Sequence, residues 1–225
     1  MMRKNVIALL VGAVLLVGCD SKELSPEDNQ QVDSLKTEQQ LLPAASGPFG
    51  LQMGLTKKNI EDMIGNTLEP TKVTNVYLVD KLPKKNDSFK IYALFISPTL
   101  GLCKIRAIGN DIENDAYGIS LRVKFNDLKT SLDSIYGESK ETDLLLPSSI
   151  WNEPRDWMEG LNKKERVLRA KWESKSEALQ KNNVGSLLLS AKASDSSSGY
   201  LLLQYEFKNH IECAKEINNA NKDSL

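Results

Sequence analysis

The pattern that most constrains this fold is a strand-like alternation that runs straight into helical spacing. Phe49, Leu51, Met53 and Leu55 alternate with Gly50, Gln52 and Gly54, as in a strand with one buried face. Thr56 then stands where a helix N-cap belongs. Ile60, Met63 and Ile64 follow at helical spacing, and Gly65 suits the left-handed residue that ends a helix. About 70 residues later the order returns: Ile119, Leu121, Val123 and Phe125 alternate, Asn126 takes the capping place, Leu128, Leu132 and Ile135 recur, and Gly137 closes the helix. The spacing predicts a strand, a turn and a short helix in each copy, and with them an internal duplication.

Each predicted helix is followed by three segments of strand character. In the first half they lie around Val73–Val79, Ile91–Ile96 and Leu102–Ile108; in the last of these Cys103, Ile105 and Ala107 face one way, Lys104 and Arg106 the other. In the second half they lie around Val167–Trp172, Leu187–Ala193 and Leu201–Phe207, with Asp195 to Gly199 as a hairpin loop and a closing helix from Ile211 to about Asn219. Half-polar strands of this kind suit antiparallel sheet with a wet face. The predicted class is therefore α+β: a tandem repeat of strand, helix and three antiparallel strands, helices on one face of the sheet, plus a C-terminal helix. The first repeat covers 48–116 and the second 117–225.

The chain ahead of this region has a different composition. Arg3 and Lys4 precede an uncharged, mainly apolar run from Val6 to Gly18, which is signal-peptide anatomy. The run stops short of the roughly 20 apolar residues of a membrane span. At its end Leu16-Val17-Gly18-Cys19 resembles the bacterial lipobox, whose cysteine becomes the lipidated N-terminus of the mature chain. The resemblance implies that 1–18 are removed and that fatty chains such as palmitate on Cys19 anchor the protein to a bacterial cell membrane, facing the periplasm. Each buried methylene contributes about 0.8 kcal/mol, so two or more chains hold stably where one does not. By likeness to enterobacterial lipoproteins, Asp20 after that cysteine reads as an inner-membrane sorting signal. From residue 20 to 46 the sequence is polar and aperiodic; with Cys19 this makes 19–47 a flexible tether with a typical reach of about 30 Å.

Cys103 and Cys213 would then face an oxidising compartment, where two thiols usually pair. Bridging them would close a loop of about 110 residues and stabilise the fold by about 4 kcal/mol in the chain-entropy picture. Two buried free thiols are the alternative; a metal site lacks a second cysteine or histidine at ligand spacing.

Charge excludes one class of partner. The 29 basic and 30 acidic side chains nearly cancel. The lysine pairs at 57–58, 84–85 and 163–164 are scattered and form no stripe, so no nucleic-acid footprint is predicted. Catalytic motifs are equally scarce. His210 is the only histidine, no Gly-x-Ser-x-Gly elbow marks a nucleophile, and no Gly-rich loop could cradle phosphates. Asp111, Glu113 and Asp115 invite a calcium reading, but an EF-hand started at Asp111 puts Ala116 at its glycine position and Arg122 at its bidentate glutamate. The expectation is a non-enzyme without cofactor.

Trp151, Arg155 and Trp157 stand out as a candidate partner contact, because aromatic residues and arginine dominate binding hot spots. The same segment has a competing reading: Trp157 and Leu161 lie four apart after Pro154, as in a short helix packing its apolar side inward. Gly54-Leu55-Thr56-Lys57-Lys58-Asn59-Ile60, closing at Ile64-Gly65, resembles the opening shared by the small assembly lipoprotein of the outer-membrane barrel machinery and the tandem β-lactamase-inhibitor-protein fold. It covers about a dozen residues of one copy; the second departs from it, with Lys124 in place of the first glycine. The resemblance implies a helix-on-sheet module that works by binding protein. The expected function is thus a lipid-anchored envelope protein that binds another envelope protein as inhibitor, immunity partner or assembly accessory. The alternative is a carrier of a small apolar or lipid ligand between sheet and helices.

Overall fold

The computed structural model describes residues 44–113, 116–173 and 176–222. Residues 1–43, with the leader, Cys19, Asp20 and most of the tether, lie outside the described residues, as does Asp115. The described residues belong to one compact unit, 41–225. In chain order the elements are α1 (Lys57–Ile64), β1 (Glu69–Pro70), β2 (Val76–Val79), β3 (Phe89–Ser97), β4 (Gly101–Gly109), β5 (Ile112–Glu113), α2 (Ile119–Tyr136), β6 (Lys140–Leu145), α3 (Trp157–Asn162), β7 (Arg166–Glu173), α4 (Glu177–Lys181), β8 (Val184–Ala193), β9 (Ser198–Phe207) and α5 (His210–Lys222).

The class is α+β, with every strand pairing antiparallel. One sheet runs in the order β1-β2-β3-β4-β9-β8-β7-β6, with β5 also on β9. The first four strands meander inward from one edge and β6 to β9 inward from the other, so that β4 and β9 meet at the centre. That meeting joins residues about 100 positions apart, Lys104 opposite Glu206 and Ile108 opposite Leu202. The six strands predicted after the helices are present, the first only over Val76–Val79, and the Asp195 loop joins β8 to β9.

The first predicted helix has the expected ends. The Thr56 hydroxyl accepts from the Asn59 backbone N–H, the Asn59 side chain accepts from the Thr56 N–H, and Gly65 adopts the left-handed conformation. The predicted strand before it does not form. Pro48–Gly50 is a 3-10 turn, and positive φ at Gly50 and Gly54 (81° and 83°) redirects the chain twice. The alternation there records burial: Leu51 and Leu55 are buried beside exposed Gln52, and the Phe49 ring packs edge-on against Phe89 and Tyr92.

The second predicted strand, from Ile119 to Phe125, is helical. These residues open the 18-residue α2, with Asn126 inside it and Gly137 closing it. Leu121, Phe125 and Leu132 are buried and Leu128 half-buried, spaced 4, 3 and 4 apart, while Ile119 and Val123 stay about half exposed. The same residues satisfy period 2 over seven positions and period 3.6 over fourteen; the longer pattern is the one that buries area against the sheet. Neither half therefore opens with a strand, and the repeat of strand, helix and three strands is not the unit the chain forms.

Helices divide between the two faces of the sheet. Ile60 of α1, Leu121 and Phe125 of α2, Met158 of α3 and Leu179 of α4 join one large core with Leu94, Ile105, Leu189 and Leu203 from the strands. The last helix, α5, lies on the opposite face, where Cys213 and Ile217 pack with Val76, Ala93 and Cys103. The expectation that all helices share one face is corrected here: β2 to β4 carry a second apolar patch, and α5 covers it. Cys103 and Cys213 sit at disulfide distance, their Cα atoms 6.3 Å apart. Glu216 of α5 accepts hydrogen bonds from Ser97 and Thr99 in the β3–β4 turn, and Asn221 accepts from the Thr74 N–H at 2.8 Å.

Candidate functional site

The three residues singled out between the halves are not one surface. Trp157, at the start of α3, is only 4% exposed, and its ring rests on Gly118 between the guanidinium groups of Arg122 and Arg166, 5.6 and 5.7 Å away. It is a core residue and is withdrawn as a partner contact; spacing four apart from buried Leu161 is what put it inside. Trp151 is half-buried and Arg155 is exposed in the turn Pro154–Asp156. The more exposed apolar residues of this region are Leu144 and Leu146 near the end of β6 and Ile150, which is 75% exposed.

Leu144 points onto the face of the sheet that carries α5, and α5 contacts only β3 and β4 closely. Beyond it, β9, β8, β7 and β6 present side chains with no helix over them among the described residues. Pairing fixes which residues line up: Arg169 opposite Ser190, Ser190 opposite Leu202, Leu202 opposite Ile108, and Ile108 opposite Ile91. The next row holds Lys171, Leu188, Gln204 and Arg106. Ile91, Ile108, Leu202 and Leu188 are all half-buried, which makes a shallow apolar stripe across the strands. At its outer end lies a crevice of about 440 Å³ lined by Lys164, Val167, Arg169, Leu188, Lys192 and Tyr200 among others. Among the described residues β6 is the edge strand at this end, with one side of its backbone outside the sheet.

Electrostatics divide the same face into two zones. Next to α5, Glu206 accepts at one carboxylate oxygen from His210 (3.2 Å), Lys104 (3.0 Å) and Gln204 (2.8 Å). Hydrogen bonds from His210 and then Lys104 hold Glu206 down to about 2, against the opposing effect of burial. Burial in turn pushes Lys104 below its ordinary value; the carboxylate's direction is the firmer of the two, since three donors converge on it. His210 thus begins α5 within hydrogen-bond distance of Glu206. Toward β7 and β8 the balance reverses. Arg106 donates to Gln204 (3.0 Å) and stacks on Phe95 (5.3 Å), and among the described residues Lys164, Arg169 and Lys192 have no carboxylate within ion-pair distance. Burial first, then repulsion from Arg106, Lys164 and Arg169, pushes Lys192 below its ordinary value.

Lys104 and Arg106 were legible as facing away from Ile105 and Ala107. The basic cluster as a whole was not, because Arg106 and Arg169 meet only through the order β4-β9-β8-β7. Cys103, expected on the side of Ile105, lies instead on the α5 side, where the β3–β4 register shifts between Phe95 and Ile96. The layer between sheet and α1 to α4 is filled by Trp172, Tyr92, Phe125 and Phe207, each at most 2% exposed. Asp111, from the discarded calcium reading, pairs with Lys90 at 2.6 Å. Among the described residues no group of three or more His, Cys, Asp or Glu side chains could hold a metal ion, and no helix is long and apolar enough to cross a membrane. No protein-family model matches the chain, and neither a curated protein nor a solved structure matches it.

Proposed function

We propose that this is a lipid-anchored protein of the bacterial envelope, held by fatty chains on Cys19 and facing the periplasm, that acts by binding another protein across the uncovered face of its sheet. The observation that carries the reading is the stripe of Ile91, Ile108 and Leu202 in register, with Leu188 in the next row, half-buried side chains on a face that α5 covers only in part. Protein interfaces combine an apolar centre with a polar rim. Here Arg169, Lys171, Lys192 and exposed Leu144 border such a centre. The lipobox-like ending at Cys19 supports the anchor, Asp20 favours the inner membrane, and a tether of 19–47 would let the domain reach a partner about 30 Å from the lipid surface.

The test is crosslinking in intact cells followed by mass spectrometry, comparing the natural chain with Cys19→Ser and with a Leu188→Asp, Leu202→Asp form. Capture of one envelope protein by the natural chain, lost in the doubly substituted form while its fold persists, is the expected result. Equal capture by both would place the contact elsewhere, and a Cys19→Ser chain that still fractionates with membrane would remove the anchor.

A further inference from the structure

We infer that the partner offers an acidic segment, laid as an extended chain over the basic end of this open face, with its carboxylates on Arg169, Lys192 and Lys164. The inference rests on the protein-binding reading above and adds the chemistry of what is bound.

Three observations point the same way. The chain is nearly neutral, 29 basic against 30 acidic side chains, so a zone where Lys164, Arg169 and Lys192 stand without a carboxylate in ion-pair distance among the described residues, on a face whose other zone holds Glu206 against Lys104, reflects sorting of charge and not an overall excess. These bases line the 440 Å³ crevice together with apolar Val167 and Leu188 and with Tyr200. Carboxylates entering it would meet a guanidinium able to form paired hydrogen bonds and ammonium groups already crowded by like charge. Finally, the bases are spread. From Arg169 on β7 to Arg106 on β4 is three strand spacings, about 15 Å, the span of four to five extended residues.

An anionic lipid surface would satisfy the same charges, but the shape of the face argues against it. Residues of α5, fixed to β4 through Cys213 and Cys103, form a second layer about 10 Å above the sheet on this side. A flat bilayer resting on that layer stands away from the sheet floor beside it. An extended chain fits the step between α5 and the bases.

The experiment places a photo-crosslinking amino acid at Leu188 of the full-length chain in intact cells and sequences the crosslinked products. In parallel, fluorescent octaglutamate and octaglutamine are titrated onto the purified full-length protein in detergent micelles, with and without Arg169→Gln and Lys192→Gln together. The expected results are crosslinks to a peptide rich in Asp and Glu, and binding of octaglutamate alone that weakens with salt. The double substitution should weaken it about tenfold or more, with near-ultraviolet circular dichroism unchanged, while Lys85→Gln with Lys163→Gln has no effect. Equal binding of both peptides, or full affinity in the double variant, overturns the inference. Crosslinks to a neutral or basic peptide overturn it while leaving the protein-binding reading standing. Crosslinks to phospholipid, or to no protein, overturn both.

Discussion

The two faces of this sheet are built from the same strands and do different work. On one, α1 to α4 seal a continuous core in which alternate residues such as Leu189, Leu203 and Tyr205 are at most 5% exposed. On the other, α5 covers β2 to β4 and, among the described residues, nothing covers β7, β8 and most of β9, so the intervening residues Leu188, Leu202 and Gln204 remain half-buried. A strand's period of two lets one sequence specify both faces independently. The helix-covered face sets stability. The partly covered face is free to carry sorted charge and an apolar stripe, because little of the fold depends on its side chains.

Substitutions on the covered face should therefore be the costly ones. Trp172 is 2% exposed, and its indole N–H reaches Asp133 (3.0 Å) and the Gly137 carbonyl (2.8 Å), tying β7 to the end of α2. Trp172→Ala should lose about 3 to 5 kcal/mol in chemical denaturation. On the other face, Cys103→Ser with Cys213→Ser, or reduction, should cost about 2 to 4 kcal/mol. Hydrogen exchange should then show α5 losing protection well before β8 and β9 do, and unchanged protection of α5 would mean that its apolar contacts and the Glu216 and Asn221 hydrogen bonds hold it unaided.

Acid should act on the same boundary. The carboxyl of Glu206 is held at about 2, below its ordinary 4.5, so its contribution is fully present above about pH 4.5 and disappears as pH falls toward 2. Glu206→Gln should flatten that part of the stability curve, by no more than about 2 kcal/mol given partial solvent screening. A slope unchanged by the substitution would show that other carboxylates govern acid unfolding. The smallest effect on stability belongs to the bare face: Arg169→Gln with Lys192→Gln should alter it by less than about 0.5 kcal/mol, because these side chains have no ion-pair partner there among the described residues. A larger loss would mean that the face is structural and would erase the contrast.

Much of the architecture can be read locally. The α1 capping box needs only Thr56 and Asn59, and the β3, β4, β7, β8 and β9 segments announce themselves by alternation. Where the reading fails, two periods fit the same residues. Ile119 to Phe125 has the β-branched content of a strand, yet Leu121 and Phe125 gain more by facing β8 and β9 from a helix. Phe49 to Leu55 alternates in burial without strand geometry, because its glycines turn the chain. The short strands β1 and β5 and the edge strand β6 carry too little apolar signal to be seen; β6 is exposed at Lys140, Glu141, Asp143 and Leu144. As for the site, aromatic content drew attention to Trp157, whereas the residues that line the open face are ordinary members of separate strands.

The sequence by itself determined the capped ends of α1 and the strand character of the β3, β4, β7, β8 and β9 segments, and it carries a lipobox-like motif at Leu16-Val17-Gly18-Cys19. These depend on side-chain identity and on neighbours within a few positions. The tertiary structure alone decided that 119–136 is one helix, that α5 crosses to the second face, and that Arg106, Arg169 and Lys192 share one surface. Each of those outcomes is set by contacts between residues dozens of positions apart, whose free energy exceeds the small local preferences that a sequence pattern expresses.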